Sequence, residues 1–303
     1  MACAFDKVAI VGVGLIGGSF ALALKQAGVV RRIVGIGRTA SVVARAVELG
    51  IIDHAAASLA DAVQDAQLVL IAAPVAQTSA ILTAMAAHLQ PGTIVTDAGS
   101  TKCDVILAAR HALGLKIAQF VPGHPIAGSQ ASGPEAAQPE LYLGKKVVLT
   151  PLPENSATVV NTVAAAWESC GAVVHRLSPF QHDRVFAAVS HLPHLLAYAL
   201  VDQIDHTPDA DLLFQFAASG FRDFTRIAGS SPEMWRDIAL ANQAALLAEI
   251  DAYGTQLANL RAMLAAGDGV GLHAMFANAQ RVRQEWLAMM EAPERRPNTG
   301  NDR

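Results

Sequence analysis

Between residue 7 and about residue 176, short apolar runs alternate with longer stretches whose apolar residues recur every three or four positions. Runs at 8–11, 32–36, 67–72, 93–96, 119–122, 146–149 and 172–175 read as strands. The intervening segments 15–27, 39–49, 76–89, 102–112 and 156–169 read as helices. This alternation predicts an α/β fold, a doubly wound and mostly parallel sheet covered by helices on both faces. Ligands of such sheets sit at the carboxyl ends of the strands, so the loops there are expected to hold the chemistry.

After about residue 179 the strand pattern stops, and 181–201, 209–218 and 231–265 read as helices. The last opens on Ser231-Pro232-Glu233, an N-cap serine followed by proline at the first helical position. Its apolar residues Met234, Ile238, Ala241, Ala245, Ile250, Tyr253, Leu257, Leu260 and Leu264 fall on one stripe. A helix of that span is about 50 Å long at 1.5 Å per residue, more than a small domain covers alone. A homodimer built on an all-helical second domain is therefore expected. The boundaries read as 1–178, 179–290 for the helical substrate and dimerisation domain, and an aperiodic 291–303 expected to be a disordered tail.

Composition narrows the partners. Hydrophobic residues make up 52% of the 303 residues and charged residues 16%, enough apolar material for a large core. A net charge of −4 offers no basic face for nucleic acid. No apolar run approaches the length needed to span a bilayer, the best being 68–75, and no apolar leader is read before the first strand, so no membrane association is expected. Cys3, Cys103 and Cys170 are widely spaced, which points to a reducing cytoplasm and away from disulfides or structural zinc.

The first strand breaks into Gly12-x-Gly14-x-x-Gly17 and continues directly as a helix. Gly12 permits the tight turn, Gly14 lets a pyrophosphate approach the backbone, and Gly17 allows close helix–strand packing. The helix N-terminus then offers N–H groups and the positive end of its dipole to the phosphates. This is the Rossmann dinucleotide fingerprint in its strand–turn–helix setting. The expected contacts are Gly12, Gly14, Leu15, Ile16 and Gly17, with Ala73 and Pro74 just past the 67–72 strand. NAD-binding folds usually end the second strand in an acid that bonds the ribose 2′-hydroxyl. Here that place holds Gly37, followed by Arg38 and Thr39. A guanidinium pairs with a 2′-phosphate that a carboxylate would repel, so NADP is expected to be preferred over NAD.

Four further segments carry polar chemistry: Thr96-Asp97-Ala98-Gly99-Ser100-Thr101-Lys102, Gly123-His124-Pro125-Ile126-Ala127-Gly128-Ser129, His182-Asp183 with Ser190-His191-Leu192-Pro193-His194, and Gly220–Ala228 (GFRDFTRIA) with Met234-Trp235-Arg236-Asp237-Ile238. Together with the glycine motif they closely resemble the prephenate/arogenate (cyclohexadienyl) dehydrogenases of tyrosine biosynthesis. The likeness runs in order from about residue 7 to 265.

The resemblance implies that a cyclohexadienol carrying a hydroxyl and a ring carboxylate loses hydride to a nicotinamide and then loses CO₂. By that likeness His124 is the base for the hydroxyl proton, a task suited to a side chain that titrates near neutrality. Ser100 matches the serine that bonds both the hydroxyl and the histidine. Arg226 matches the arginine that pairs with a substrate carboxylate, and His194 and His191 match histidines facing the substrate side chain. His182 reads as structural. Many relatives carry an acid where this chain has Gln130; a neutral amide there leans toward prephenate, with arogenate kept as a second substrate. No regulatory segment is read beyond the helices, so any inhibition by tyrosine is expected to compete with substrate.

The residues speak against two rival readings. β-Hydroxyacid dehydrogenases use a lysine on a helix of the second domain, whereas every lysine here lies at or before Lys146. A noncatalytic NADP sensor would need no base, serine or arginine in the places where His124, Ser100 and Arg226 stand. No HExxH is present, and Pro193 interrupts the spacing of His191 and His194, so no metal is expected.

Overall fold

The computed structural model describes residues 4–128 and 131–291. Its first part runs β1 (Phe5–Val11), α1 (Leu15–Gln26), β2 (Val30–Ile36), α2 (Ala40–Glu48), β3 (His54–Ala55), α3 (Leu59–Val63), β4 (Leu68–Ile71), α4 (Thr78–Ala86), β5 (Ile94–Asp97), α5 (Cys103–Leu113) and β6 (Phe120–Val121). These six strands form one wholly parallel sheet in the order β3-β2-β1-β4-β5-β6. The order reverses between β1 and β4, so the crevice at their carboxyl ends is the expected ligand site.

Residues of β1 alternate between two cores. Val8 and Ile10 face a cluster with Phe20, Leu24, Tyr142 and Trp167, while Ala9 and Val11 face one with Leu82, Met85, Val105 and Phe120. That two-sided burial explains the continuous apolar run, as parallel strands covered on both faces require.

The single sheet read from the sequence divides in two. Pro122 ends β6, having no N–H for a ladder, and the chain starts again as β7 (Gly123–Pro125). β7 lies antiparallel to β8 (Lys146–Leu149), which lies parallel to β9 (Val173–Arg176) beyond α6 (Ala157–Ser169). β7 was not anticipated, and it carries His124.

The helical region comprises α7 (Pro179–Phe186), a π turn at Ala187–His191, α8 (Leu192–Asp205), α9 (Ala210–Gln215), α10 (Ser219–Thr225), α11 (Pro232–Ala241), α12 (Gln243–Ala266) and α13 (Gly269–Glu291). The long helix expected over 231–265 breaks at Asn242, whose backbone leaves helical geometry at φ −107° and ψ 30° while its amide is spent on tertiary bonds. α12 alone is about 36 Å long. Pro179–Asp205 together is long and apolar enough to cross a bilayer by composition, which corrects the expectation that no such run exists. In this structure that run carries the buried pair His182 and Asp183, bonded to α5 and β7. One compact unit extends to Leu247; a second begins at Ala248 and holds the rest of α12 with α13. The 291–303 expectation lies, apart from Glu291, outside the described residues.

Trp167 of α6 is fully buried, its ring centroid 4.5 Å from Phe20 and 5.1 Å from Tyr142. Trp167→Ala should cost about 3–5 kcal/mol by opening a cavity. A lowered urea midpoint, against no change for Leu115→Ala at the exposed surface, is the expected result.

Candidate active site

β5 ends in Asp97, and the turn after it delivers Lys102 to the same spot. Both side chains are buried and ion-paired, an arrangement viable only when the remaining bonding capacity is used. It is used. Lys102 Nζ donates to the Gly123 carbonyl at 2.8 Å, and the Asp97 carboxylate accepts the N–H groups of Gly99 at 2.8 Å and Gly123 at 3.0 Å. The residue before His124 is thus held at both its polar backbone atoms. Ser100 sits, half-buried, in this turn between Asp97 and Lys102.

His124 is partly exposed and its Nδ1 lies 2.9 Å from Nε2 of His182. His182 Nδ1 in turn lies 2.8 Å from Oδ1 of Asp183. The Asp183 carboxylate also accepts the N–H groups of Lys102 and Cys103, each at 2.8 Å, and so caps α5 from α7. These bonds fix the protons. A carboxylate only accepts, so His182 carries its hydrogen on Nδ1 and accepts at Nε2. His124 must then donate from Nδ1, which leaves its Nε2 as the lone-pair nitrogen. His182, read as structural from the sequence, is a buried ring in direct contact with the base candidate.

Electrostatics keep these rings neutral. Burial, with help from His182, Lys102 and His191, holds the His124 imidazole well below its ordinary range. Burial lowers His182 too, although Asp183 pulls the other way. Burial raises the Asp183 carboxyl, but the bonds from His182 and from the Cys103 and Lys102 N–H groups outweigh it and leave it low.

Next along the wall stands His191 on the π turn, fully buried and lowered to about 4, chiefly by desolvation. Asn242 Nδ2 donates to the Asp183 carbonyl at 2.8 Å and lies 3.1 Å from His191 Nδ1. His194 donates from Nδ1 to the Ser190 carbonyl at 2.8 Å and stacks on Trp235, centroids 3.5 Å apart and planes 19° apart. Arg226, exposed in the 3₁₀ turn Arg226–Gly229, is near enough to lower His194 alongside the larger effect of burial. Gln130 lies outside the described residues.

The glycine turn opens on a separate cleft of about 640 Å³ that brings Gly12, Gly14, Arg38, Thr39, Ala73 and Pro74 together. Gly12 adopts φ +99°, and a Cβ on it would lie 2.5 Å from the Ala72 carbonyl oxygen. A Cβ on Gly17 would meet the Gly12 carbonyl oxygen at 2.1 Å, so this glycine serves packing. A Cβ on Gly14 would meet nothing within 4 Å, the open approach a pyrophosphate needs. α1 and α2 both start without a side-chain cap, leaving N–H groups for an anion at Gly14 and Thr39. Leu15, Ile16 and Gly17 do not line the cleft; the Ile16 carbonyl accepts a bond from Tyr142. The residues present fit a dinucleotide.

Asp97, Lys102 and Asp183 stood in polar segments without an assigned role, and Asn242 escaped the sequence reading. Only the adjacency of His182 and Asp183 hinted at this bonded series, because its contacts join residues 58 and 81 positions apart.

A dinucleotide cleft at the switch point of a parallel sheet, followed by a helical region, defines the class as a nicotinamide-dependent dehydrogenase. The comparisons with known proteins specify the class. Residues 20–176 match the family model described as prephenate dehydrogenase, nucleotide-binding domain, and residues 178–278 match prephenate dehydrogenase, dimerization domain. The chain belongs to the prephenate dehydrogenase family. It is 38% identical to the prephenate dehydrogenase of Bacillus subtilis over 92% of this chain and 75% of that protein. It is 36% identical to the cyclohexadienyl dehydrogenase of Zymomonas mobilis over 92% and 95%. The crystal structure of prephenate dehydrogenase from Aquifex aeolicus with hydroxyphenyl propionate and NAD+ superposes with a TM-score of 0.87 at 38% identity, covering 92% of this chain and 98% of that one. Synechocystis arogenate dehydrogenase gives 0.79 at 30% identity, over 92% and 99%.

The depressed histidines set an acid limit. A histidine whose folded value lies below its unfolded value of about 6.5 contributes stability above that pH and loses it as pH falls. For His191 the loss runs from about pH 6.5 down to about 4. It is worth roughly 3 kcal/mol from this residue alone, with His124 and His182 adding in the same direction. Urea midpoints measured at pH 7.5 and 4.5 should fall accordingly, and His191→Gln should flatten the fall.

Proposed function

We propose that this chain oxidises and decarboxylates prephenate, with His124 Nε2 taking the proton of the ring hydroxyl. The observation that carries the reading is the proton order in the His124–His182–Asp183 series, which leaves an acceptor nitrogen at the residue the family likeness names as base. A bound nicotinamide dinucleotide supplies the acceptor for the hydride. When the hydride leaves the hydroxyl-bearing carbon, His124 removes the O–H proton. Loss of CO₂ then aromatises the ring, and the same proton returns to the phenolic oxygen, so no proton is lost overall.

Ser100, fixed in the turn that also holds Gly123, orients the hydroxyl. Arg226 pairs with a substrate carboxylate through its planar fork, and the His194–Trp235 stack walls the side-chain end. The family likeness assigns His191, a buried neutral ring behind His194, and Gln130 to the substrate side as well. The likeness to Synechocystis arogenate dehydrogenase supports arogenate as a second substrate.

Arg38 and Thr39 favour NADP, since a guanidinium at the cleft rim with no acid beside it suits a 2′-phosphate. A homodimer is supported by the exposed apolar residues of the second unit, Leu257, Leu264, Val270, Phe276 and Trp286 among them. The domain division proposed is 1–178 for the cofactor and 179–290 for substrate and dimer. Cys103 and Cys170, both free, suit a cytoplasmic enzyme.

With prephenate as substrate, His124→Ala should lower kcat by about 10²–10⁴-fold while KM stays close to wild type. Arg226→Ala should mainly raise KM, by about tenfold or more, as expected when a charged bond to the bound substrate is removed. Steady-state rates at 340 nm check both. Absence of turnover with prephenate and arogenate, with either cofactor, would defeat the reading.

Arg38→Ala should lower the ratio of kcat/KM for NADP to that for NAD by about ten- to a hundredfold, the worth of a charge-assisted bond. An unchanged ratio would remove Arg38 from the phosphate site.

A further inference from the structure

We propose that the proton taken from the substrate hydroxyl does not stay on His124 but crosses its ring to His182, which holds it beside Asp183 until it is returned. The inference rests on the oxidation proposed above and assigns the resting place of the proton during it.

The atoms are already in line. His124 Nδ1 and His182 Nε2 are 2.9 Å apart, and His182 Nδ1 and Asp183 Oδ1 are 2.8 Å apart. As a hydrogen bonds to His124 Nε2, the Nδ1–H bond of that ring breaks and its proton forms the Nε2–H bond of His182. No electrons are gained or lost by either ring. His182 becomes an imidazolium whose Nδ1–H already points at a carboxylate, and His124 is neutral again with its hydrogen on the other nitrogen. Return to the phenolic oxygen runs the same two transfers backwards.

Charge decides which ring holds the proton. His182 lies against the Asp183 carboxylate inside the protein, where opposite charges at such a distance attract strongly. Among the described residues no carboxylate is bonded to His124 in this way. The other charged groups facing the pair are Lys102 and Asp97, which are ion-paired with each other. His191, the remaining titratable neighbour, accepts from Asn242 and stays neutral. Phe186 packs on both rings, with centroids 4.8 Å from His124 and 4.5 Å from His182, and shields the pair from competing solvent.

His182→Gln separates orientation from proton storage. Its amide oxygen accepts a bond from His124 Nδ1–H, yet the amide cannot take a proton. Relay predicts a drop in kcat of about ten- to a hundredfold with little change in KM. It also predicts that the dependence of the rate on D₂O fraction, bowed in wild type because two protons move, becomes linear. A Gln variant with wild-type kcat, or one with reduced kcat but a still-bowed dependence, would overturn the proposal.

A second measurement needs neither a variant nor turnover. With ¹⁵N-labelled histidine, acidification of the wild-type protein should convert His182 to imidazolium before His124, and the opposite order would overturn the proposal. Because this readout is independent of substrate, a chain inactive on prephenate and arogenate would sink the functional reading while the order of protonation still judged the relay.

Discussion

The Asp183 carboxylate is the constraint on which the site depends. A carboxylate taken out of water is costly unless every oxygen is bonded, and here one oxygen serves His182 and Lys102 N–H while the other serves Cys103 N–H. Those three bonds do different work. Two of them close the N-terminus of α5, which has no cap of its own. The third fixes the hydrogen of His182 and, through it, the hydrogen of His124. A side chain from α7 therefore sets the tautomer of a histidine on β7, and moving α7 relative to α5 would cost a helix cap as well as that tautomer.

The backbone of the same residue extends the arrangement. The Asp183 carbonyl can only accept, so the Asn242 atom facing it must be the amide nitrogen, and that nitrogen's second hydrogen goes to His191 Nδ1. His124 and His191 consequently present opposite faces of the imidazole tautomer, one accepting and the other donating at Nε2. The chain break at Asn242 that splits α11 from α12 is thus tied to the tautomer of a ring 51 positions away in sequence.

These dependencies mark where sequence reasoning stops. The parallel sheet was legible because buried strands read as continuous apolar runs, and β1, β2, β4 and β5 lie within about three residues of their expected bounds. The glycine turn was legible because each glycine answers a local steric demand. The second sheet was not, since whether 123–125 pairs with 120–121's sheet or with 147–149 is a long-range choice that periodicity does not encode. The break at Asn242 was invisible for a related reason. Asparagine is only a mildly poor helix former, and nothing nearby in sequence reveals that its amide is needed by Asp183. His124 and Arg226 came from family likeness, whereas Asp97 and Lys102 stood in a quoted segment without a role until their burial showed them clamping Gly123.

In the reaction we propose, the depressed basicity of His124 looks at first like a handicap for a base. An alcohol is a far weaker acid than an imidazolium, and burial makes this imidazolium more acidic still, so transfer to such a ring is uphill on its own. It becomes favourable only as the hydride departs and the oxygen acidifies, which ties proton removal to oxidation and prevents it from running ahead. The same weakness helps the second half of the reaction. A phenol, with an unperturbed value near 10, holds a proton far more tightly than any of these buried rings, so the product oxygen recovers the proton spontaneously once CO₂ has gone. A stronger base would take the proton more easily and then retain it. Burial of the rings, with one carboxylate to steady the charge in transit, suits a site that must lend a proton rather than keep it.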